Sequence, residues 1–222
     1  MRVAFGERLP PFVIPESHSG IEIDIVREAL AISGHEFIPQ YYPMARIAIS
    51  FKSRKVDVVM MDVGEDMSVF GGHYGDPPVI YDNVFITLKE SNITIKKPDD
   101  LKNLMVNSFI GAQKRYPKWL GPLSAEKYSE KNDQSVQPLV LEMKRYDVVL
   151  CDKNIFKYYF KLAQKSPRFK GLPVVEHSFT VENPDDYRPV FYDKKIRDDF
   201  NLGLKTLQKN GRIKAIYDKY LK

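Results

Sequence analysis

Two eight-residue segments of this chain repeat one pattern. Each has a basic residue, an apolar residue, Asp, four apolar residues and Asp, and they are Lys55–Asp62 and Arg145–Asp152. Four apolar residues between two carboxylates are typical of a strand buried on both faces, as in parallel sheets. Ligands of open α/β sheets bind beyond the carboxyl ends of the strands, so Asp62 and Asp152 become candidate ligand-binding residues. The repeat predicts two similar α/β lobes, each with a carboxylate at its mouth.

The first half of the chain alternates strand and helix patterns. Strand patterns lie at Arg2–Phe5, at Phe37–Tyr41 and around Asp57, and helical stripes at Ile25–Ile32 and Met44–Phe51. This β-α-β-α-β order predicts a parallel sheet. The glycine- and proline-rich segment from Gly64 to Pro78 predicts an irregular loop.

The second half repeats the alternation and ends in helices. Strands are predicted at Asn83–Leu88, Leu104–Ser108, around Asp147 and at Arg188–Tyr192, with helical stripes at Val136–Met143, Ile196–Leu207 and Ile213–Tyr220. A helix that opens at Gly111 is shortened by Pro117, because proline cannot continue a helix. The polar segment Lys127–Gln134 predicts a loop.

Composition bounds the class of protein. With 222 residues, 43% of them hydrophobic, the chain has enough apolar sequence for one large domain or two small ones. The net charge of +5 is spread among acidic residues rather than gathered in a basic stripe, so nucleic acid is not an expected partner. Apolar runs are too short for a bilayer span. Strand-like sequence begins at Val3, so the chain is either cytosolic or a mature form whose signal has been removed.

Residue types that carry catalysis or metal binding do not assemble in this sequence. The four histidines form no spaced pair, and Cys151 has no second cysteine to join. The glycines of the Gly64–Gly72 segment make no phosphate fingerprint, and no nucleophile has an evident base. We therefore expect no metal, no cofactor and no catalytic residues.

Several short motifs occur in a defined order along nearly the whole chain. They are Pro10-Pro11-Phe12, Gly20-Ile-Glu-Ile-Asp24, Lys55-Val-Asp57, Tyr74-Gly-Asp76-Pro77, Asp100-Leu101-Lys102, Phe200-Asn201 and Asn210-Gly211-Arg-Ile213. In order and spacing the chain resembles the extracytoplasmic solute-binding proteins of family 3, known as receptors for polar amino acids. The resemblance implies a type 2 periplasmic-binding fold, with two α/β lobes joined by two crossover strands and a ligand cleft that closes as a hinge. Lobe 1 is expected at 1–85 plus 190–222 and lobe 2 at 86–189.

The resemblance assigns roles to some residues and departs from the family at others. Asp152 matches the family's acid for the ligand ammonium, although it can equally be a strand-end or turn residue. The family's Thr-x-x-Arg loop, whose arginine grips the ligand carboxylate, corresponds to Glu65–Phe70, which has no arginine but contains the candidate Ser68. The family's Gly-Ser/Thr at a helix start is Gly111-Ala112 here, where only backbone N–H groups remain to receive an anion.

Three further residues are candidates for ligand contact. Arg46, in the first turn of a helix, resembles a cleft arginine of some family members and can replace the missing clamp; the alternative is a solvated arginine. Phe12 matches the family's aromatic residue that covers a ligand face, where it offers stacking or a cation–π contact. Tyr41 and Tyr42 are neighbours on a strand, so only one can face the cleft, and we expect it to be Tyr42.

The resulting hypothesis is a non-catalytic, monomeric binding protein, periplasmic or tethered outside the membrane, that closes on a small polar ligand. The ligand is amino-acid-like or amine-containing, and the partner is an ABC-type transporter or a sensor. One alternative is a dehydratase-like enzyme with Asp62 and Asp152 as acid and base, and another is the extracellular sensor domain of a receptor. Fold resemblance alone does not separate these functions.

Overall fold

The computed structural model describes residues 1–61, 64–179 and 187–222. The chain divides into two compact units: unit 1 comprises Met1–Ile80 and Asn183–Lys222, and unit 2 comprises Tyr81–Glu182. The chain therefore passes from one unit to the other twice. The lobe boundaries expected from the sequence, at 85/86 and 189/190, stay predictions.

Ten strands and eight α-helices make up the described part of the chain. In chain order they are β1 (Arg2–Gly6), α1 (Ile21–Ala31), β2 (Ile38–Tyr42), α2 (Met44–Lys52), β3 (Val58–Val59), β4 (His73–Tyr74), β5 (Asn83–Leu88), β6 (Val106–Phe109), α3 (Ala112–Arg115), α4 (Pro117–Leu120), β7 (Tyr128–Lys131), α5 (Gln137–Glu142), β8 (Val148–Asp152), α6 (Lys153–Ala163), β9 (Val174–His177), β10 (Val190–Phe191), α7 (Lys194–Lys209) and α8 (Arg212–Leu221).

Each unit contains one five-stranded sheet, and the two sheets have the same plan. The strand order is β2-β1-β3-β10-β4 in unit 1 and β7-β6-β8-β5-β9 in unit 2. In both sheets the first three strands are parallel to one another. The fourth strand is antiparallel to the third, and the fifth is antiparallel to the fourth. The prediction of two similar α/β lobes is confirmed. In each sheet the fourth strand belongs to the part of the chain that follows a passage between units.

Two segments predicted as loops contain short edge strands. The segment Lys127–Gln134 includes β7, and the segment Gly64–Pro78 includes β4. Among the described strands, β7 pairs with β6 alone and β4 with β10 alone. Edge strands are solvated on one side, so they tolerate polar residues and lack the apolar run of a central strand. The loop predictions were wrong at these residues for that reason. The helix shortened by Pro117 is confirmed: α3 ends before it and α4 begins with it.

The first aspartate of each repeated segment makes the same contact in its own unit. Arg2 N donates to Asp57 Oδ2 at 2.6 Å, and Asp57 N donates back to Arg2 O at 2.9 Å. In unit 2, Met105 N donates to Asp147 Oδ2 at 2.8 Å and Asp147 N donates to Met105 O at 2.9 Å. Each aspartate thus fixes the register of two central parallel strands at their amino ends.

Helices cover the sheets and exclude water from their faces. In unit 1, α1 and α7 pack so closely that a Cβ on Gly203 would lie 2.0 Å from the Ala29 carbonyl oxygen. In unit 2, Phe85 and the half-buried Trp119 pack at 5.3 Å between ring centroids. Among the described residues, no helix is both long and apolar enough to cross a membrane.

Candidate functional site

The turn between β6 and α3 carries the backbone N–H groups that the sequence offers to an anion. In the structure these groups point at a carboxylate of the same unit. Gly111 N donates to Glu130 Oε2 at 2.7 Å, and Gln113 N donates to Glu130 Oε1 at 2.8 Å. Ala112 lies between them with its side chain buried. The predicted roles of Gly111 and Ala112 in ligand binding stay predictions, and their turn already holds an internal anion.

Strand pairing explains how Glu130 reaches this turn. β6 and β7 run parallel, and Glu130 is the register partner of Ser108, three residues before Gly111. Gly111 itself has φ of 85°, a left-handed conformation that glycine adopts without strain and that turns the chain into α3. The carboxyl ends of β6 and β7 therefore meet where the Gly111 N–H and the Glu130 side chain lie.

A third donor completes the contacts of Glu130. Tyr128 Oη donates to Glu130 Oε1 at 2.8 Å and lies 2.6 Å from Ser108 Oγ. Burial works to raise the pKa of Glu130, but the hydrogen bonds from Gln113, Gly111 and Tyr128 outweigh it and the pKa is lowered. Burial is also the main reason that the pKa of Tyr128 is raised. Glu130 is thus an anion and Tyr128 a neutral donor at neutral pH.

Asp152 lies at the end of β8, as predicted, with a side chain 1% exposed. Its Oδ1 accepts from Asn154 N at 2.8 Å and Ile155 N at 3.0 Å, which makes it the N-cap of α6. Its Oδ2 accepts from Asp82 N at 2.7 Å. Burial raises the pKa of Asp152 to about 6, although these three hydrogen bonds act in the opposite direction. Both oxygens have structural partners, and a contact with a ligand ammonium stays a prediction.

Arg46 lies in the first turn of α2 in unit 1, and its side chain is exposed. Its backbone N donates to Pro43 O at 2.8 Å, which begins the helix after the proline. In the described ranges of the chain, the Arg46 guanidinium makes no ion pair. It is therefore available to an anionic partner.

Tyr41 and Tyr42 face opposite sides of the unit 1 sheet, as expected for neighbours on a strand. Tyr42 packs against the core cluster that contains Ile47 and Phe51. Tyr41 lies over His18, with stacked rings 5.6 Å apart and a 2.9 Å hydrogen bond between Tyr41 Oη and His18 Nδ1. The structure uses both rings for packing, and each is only half-buried.

Phe12 has no exposed surface. Its ring meets Tyr217 of α8 edge-on, with centroids 6.3 Å apart. Gly20 approaches its backbone so closely that a Cβ there would lie 2.2 Å from the Phe12 carbonyl oxygen. In this structure Phe12 is a core residue, and its predicted contact with a ligand stays a prediction.

Ser68 and Asp62 are the remaining predicted site residues. Ser68 begins a 3₁₀ turn, and its hydroxyl donates to Asp66 Oδ1 at 2.6 Å while its backbone N donates to the same oxygen at 2.9 Å. The serine hydroxyl therefore has a local partner, and it is exposed. Asp62 lies outside the described residues.

Unit 2 also contains a cavity of about 490 Å³ that the sequence did not indicate. It lies beside α5 and the edge strand β7, and its walls include Met105, Lys131, Val136, Arg145 and Tyr146. The predicted site residues do not line it. In the part of the chain that the structure describes, no group of three His, Cys, Asp or Glu side chains is placed to hold a metal ion.

Sequence reasoning missed Glu130 because it lies in the polar segment predicted as a loop. The alternation of Tyr128, Ser129 and Glu130 is a weak strand signal, and three residues do not establish a period. Only the pairing of β7 with β6 brings Glu130 to the turn at Gly111.

Comparison with known proteins gives one family match that spans the chain. The family model described as bacterial extracellular solute-binding proteins, family 3, matches residues 1–222. A search of curated proteins gives no match.

Solved structures resemble the chain over its full length at low sequence identity. An ancestral arginine-binding protein bound to arginine has a TM-score of 0.69 and 22% identity, over 100% of this chain and 97% of that one. A histidine kinase sensor domain with similarity to periplasmic binding proteins has a TM-score of 0.73 and 17% identity, over 100% and 95%. An ancestral amino acid-binding protein, described as a precursor of cyclohexadienyl dehydratase, has a TM-score of 0.70 and 20% identity, over 100% and 95%. These likenesses confirm the predicted fold.

Proposed function

We propose that this chain, which belongs to the bacterial extracellular solute-binding proteins, family 3, binds a small polar molecule that is amino-acid-like or amine-containing. The observation that carries the proposal is the family match over residues 1–222. The similar structures support the same fold and include proteins described as amino-acid-binding.

Release of the ligand unchanged is part of the proposal. A dehydratase-like reaction needs an acid and a base that are free to exchange protons with a substrate. Asp152, one of the two carboxylates considered for that role, accepts three backbone hydrogen bonds and is 1% exposed. This favours binding over catalysis.

The biological role we propose is delivery of the ligand to a membrane transporter or report of its presence to a sensor, outside the cytoplasm. The family description supports an extracytoplasmic location. The likeness to a histidine kinase sensor domain supports sensing as the second role. The lobe closure expected from the resemblance is checked by small-angle scattering with and without ligand.

A thermal-shift screen tests the function, because a ligand that binds only the folded state raises the melting temperature. The panel contains the common amino acids, their decarboxylated amines and uncharged sugars as the control class. We expect stabilisation by members of the first two classes and none by sugars. If no amino acid or amine stabilises the protein at millimolar concentration, the proposed function is wrong.

Arg46 provides the matched variant. Because its side chain is exposed, Arg46→Met should leave the melting temperature of the unliganded protein nearly unchanged. If Arg46 holds an anionic group of the ligand, calorimetry should show about tenfold weaker binding or more. Lys55→Met, another exposed cation of unit 1, serves as the control for the change in net charge.

A further inference from the structure

The cavity of unit 2 lies on one face of the edge strand β7. Side chains alternate along a strand, so Tyr128 and Glu130 share one face while Ser129 and Lys131 share the other. Glu130 contacts the turn before α3. Lys131 lines the cavity, and Ser129 Oγ donates to the hydroxyl of Tyr146, which lines it as well. The cavity is therefore separate from the turn that Glu130 contacts.

A chain of hydrogen bonds fixes the direction of the protons beside this cavity. Gln137 Nε2 donates to Leu150 O at 3.4 Å and to Asn107 Oδ1 at 3.3 Å. Asn107 Nδ2 donates to Ser129 O and to Ser129 Oγ, both at 3.3 Å. Because backbone carbonyl oxygens only accept, both amide groups have one orientation. Ser129 Oγ therefore receives a proton from Asn107 and donates its own to Tyr146 Oη at 2.8 Å.

This chain leaves the hydroxyl of Tyr146 as a hydrogen-bond donor. Its oxygen accepts from Ser129, so its own proton must go to a different partner. Among the residues that the structure describes, no oxygen accepts that proton. The side chain of Tyr146 is half-buried and lines the cavity. The cavity wall thus offers a donor that has no acceptor in the described part of the chain.

Two cations line the same cavity. Lys131 and Arg145 are exposed, and within the described ranges neither side chain forms an ion pair. Asp133 is the acid among the described lining residues, and its Oδ1 accepts from Ser135 N at 2.9 Å, as the cap of a 3₁₀ turn. Two cations and one acid leave one positive charge in excess. Together with the hydroxyl donor, this charge favours an anion.

Another part of the cavity wall is apolar. It consists of Met105, Val136 and Val140. Val136 and Val140 are four residues apart and so lie on the same side of the helical segment, and Val136 is 38% exposed. The volume of about 490 Å³ falls within the range of small-molecule sites, roughly 300 to 1,000 Å³. A ligand with a hydrocarbon part would cover these side chains.

We propose that this cavity is a further binding site, for a small organic anion that carries a carboxylate on an apolar body. The carboxylate accepts from Tyr146 Oη and pairs with Lys131 and Arg145, and the hydrocarbon part packs on the apolar wall. None of the ligand-binding residues predicted from the sequence lines the cavity. The inference is therefore independent of the proposed function, and its ligand needs no ammonium group.

Three probes with one hydrocarbon chain and different head groups test the charge preference. They are hexanoate, 1-hexanol and hexylamine, titrated into the wild type by calorimetry. Hexanoate should bind at least about tenfold more tightly than the other two, because only a carboxylate can pair with both cations. If hexanoate does not bind at millimolar concentration, or binds no more tightly than 1-hexanol, the inference is wrong.

Variants of the cavity locate the bound hexanoate. Tyr146→Phe removes only the hydroxyl, and Arg145→Met removes an exposed cation. The matched controls are Tyr158→Phe and Arg168→Met, since Tyr158 is half-buried, Arg168 is exposed and both lie in unit 2 outside the cavity lining. Each cavity variant should weaken hexanoate binding about tenfold, as expected for the loss of a hydrogen bond to a charged group. The control variants should bind hexanoate like the wild type.

Circular dichroism verifies that the variants are folded. If Tyr146→Phe does not fold, Arg145→Met decides alone, because its side chain is exposed. Folded cavity variants that bind hexanoate as tightly as the wild type would overturn the inference, since the anion would then lie elsewhere. The thermal-shift screen with amino acids and amines is run on the same proteins. Hexanoate binding without amino acid or amine binding would overturn the proposed function alone, and the reverse result would overturn this inference alone.

Discussion

Unit 1 and unit 2 build the same five-stranded sheet but supply different partners to the start of the first crossover helix. In unit 1, α1 is a single helix of 11 residues, and the N–H of Gly20 before it donates to Tyr220 Oη at 2.9 Å. In unit 2, two helices of four residues each follow the strand, and the N–H groups of the turn donate to the ionised Glu130. The backbone N–H groups at the same topological position therefore donate to a tyrosine hydroxyl in unit 1 and directly to a carboxylate in unit 2.

The repeated segments lie outside these helix starts, and their first aspartates bind the adjacent strand instead. Asp57 exchanges two hydrogen bonds with Arg2, the first residue of β1, and Asp147 exchanges two with Met105, the residue before β6, at nearly equal distances. The repeated pattern therefore corresponds to a contact that both units make, which fixes the register of their central strands. The chemistry that distinguishes them comes from residues outside the repeat, namely Tyr220 and Glu130.

The largest effect that we expect concerns pH and Asp152. Burial raises its pKa in the folded protein to about 6, above the value of 3.8 for an exposed carboxyl. The folded state therefore binds more protons between these values, so the contribution to stability is complete below the unfolded pKa and is lost as the pH rises through 6. The free energy of unfolding of the wild type should fall by about 2.4 kcal/mol relative to Asp152→Asn between pH 4 and pH 7.

Urea unfolding at four pH values measures this difference, with fluorescence of the single tryptophan as the probe. Trp119 packs in the core of unit 2, so it reports on the unit that contains Asp152. The contributions of other titrating groups to the free energy of unfolding cancel in the comparison of the wild type with Asp152→Asn. If the free energies of unfolding of the two proteins change equally with pH, Asp152 is not desolvated.

A smaller effect separates the capping role of Asp152 from its charge. Asparagine at this position keeps an acceptor for the N–H groups of Asn154 and Ile155, whereas alanine leaves them without one. Asp152→Ala should therefore be about 2 kcal/mol less stable than Asp152→Asn at pH 7. Since both variants are neutral, the comparison contains no titration. Equal stabilities would mean that water replaces the side chain as the cap.

Much of this architecture was predictable because it depends on local patterns. The buried run of β8 and the stop at Pro117 follow from apolar content and from the missing N–H of proline. The parallel direction of the first three strands in each sheet follows from the alternation of strands and helices. The edge strand β7 was not predictable in this way, because its stability comes from pairing with β6 rather than from its own composition.

The candidate site was harder to predict for a physical reason. An aspartate that ends a strand and precedes a helix has the same sequence whether it caps the helix or faces a ligand. The apolar positions Ile155, Phe156 and Tyr159 directly after Asp152 do fit a helix start, and the structure uses Asp152 as the cap. The contact of Glu130 with Gly111 joins residues 19 positions apart and depends on strand register, which no local pattern contains.

The smallest effect tests whether the shared aspartates are equivalent. Asp57→Ala and Asp147→Ala each remove one acceptor from a backbone N–H at the start of a strand, and each should lower the free energy of unfolding by about 1 kcal/mol. Asp57 also forms an exposed ion pair with Arg2, with 3.5 Å between the charged atoms. This ion pair adds little to stability because solvent screens it.

The two substitutions are measured with different probes. Asp147→Ala should shift the unfolding transition seen by Trp119 fluorescence, since residue 147 and the tryptophan lie in one unit. Asp57→Ala should shift the transition seen by circular dichroism. Asp147→Asn, which keeps an acceptor oxygen, is the control for the loss of charge. If one alanine variant loses more than twice the stability that the other loses, the repeat does not mark equivalent contacts.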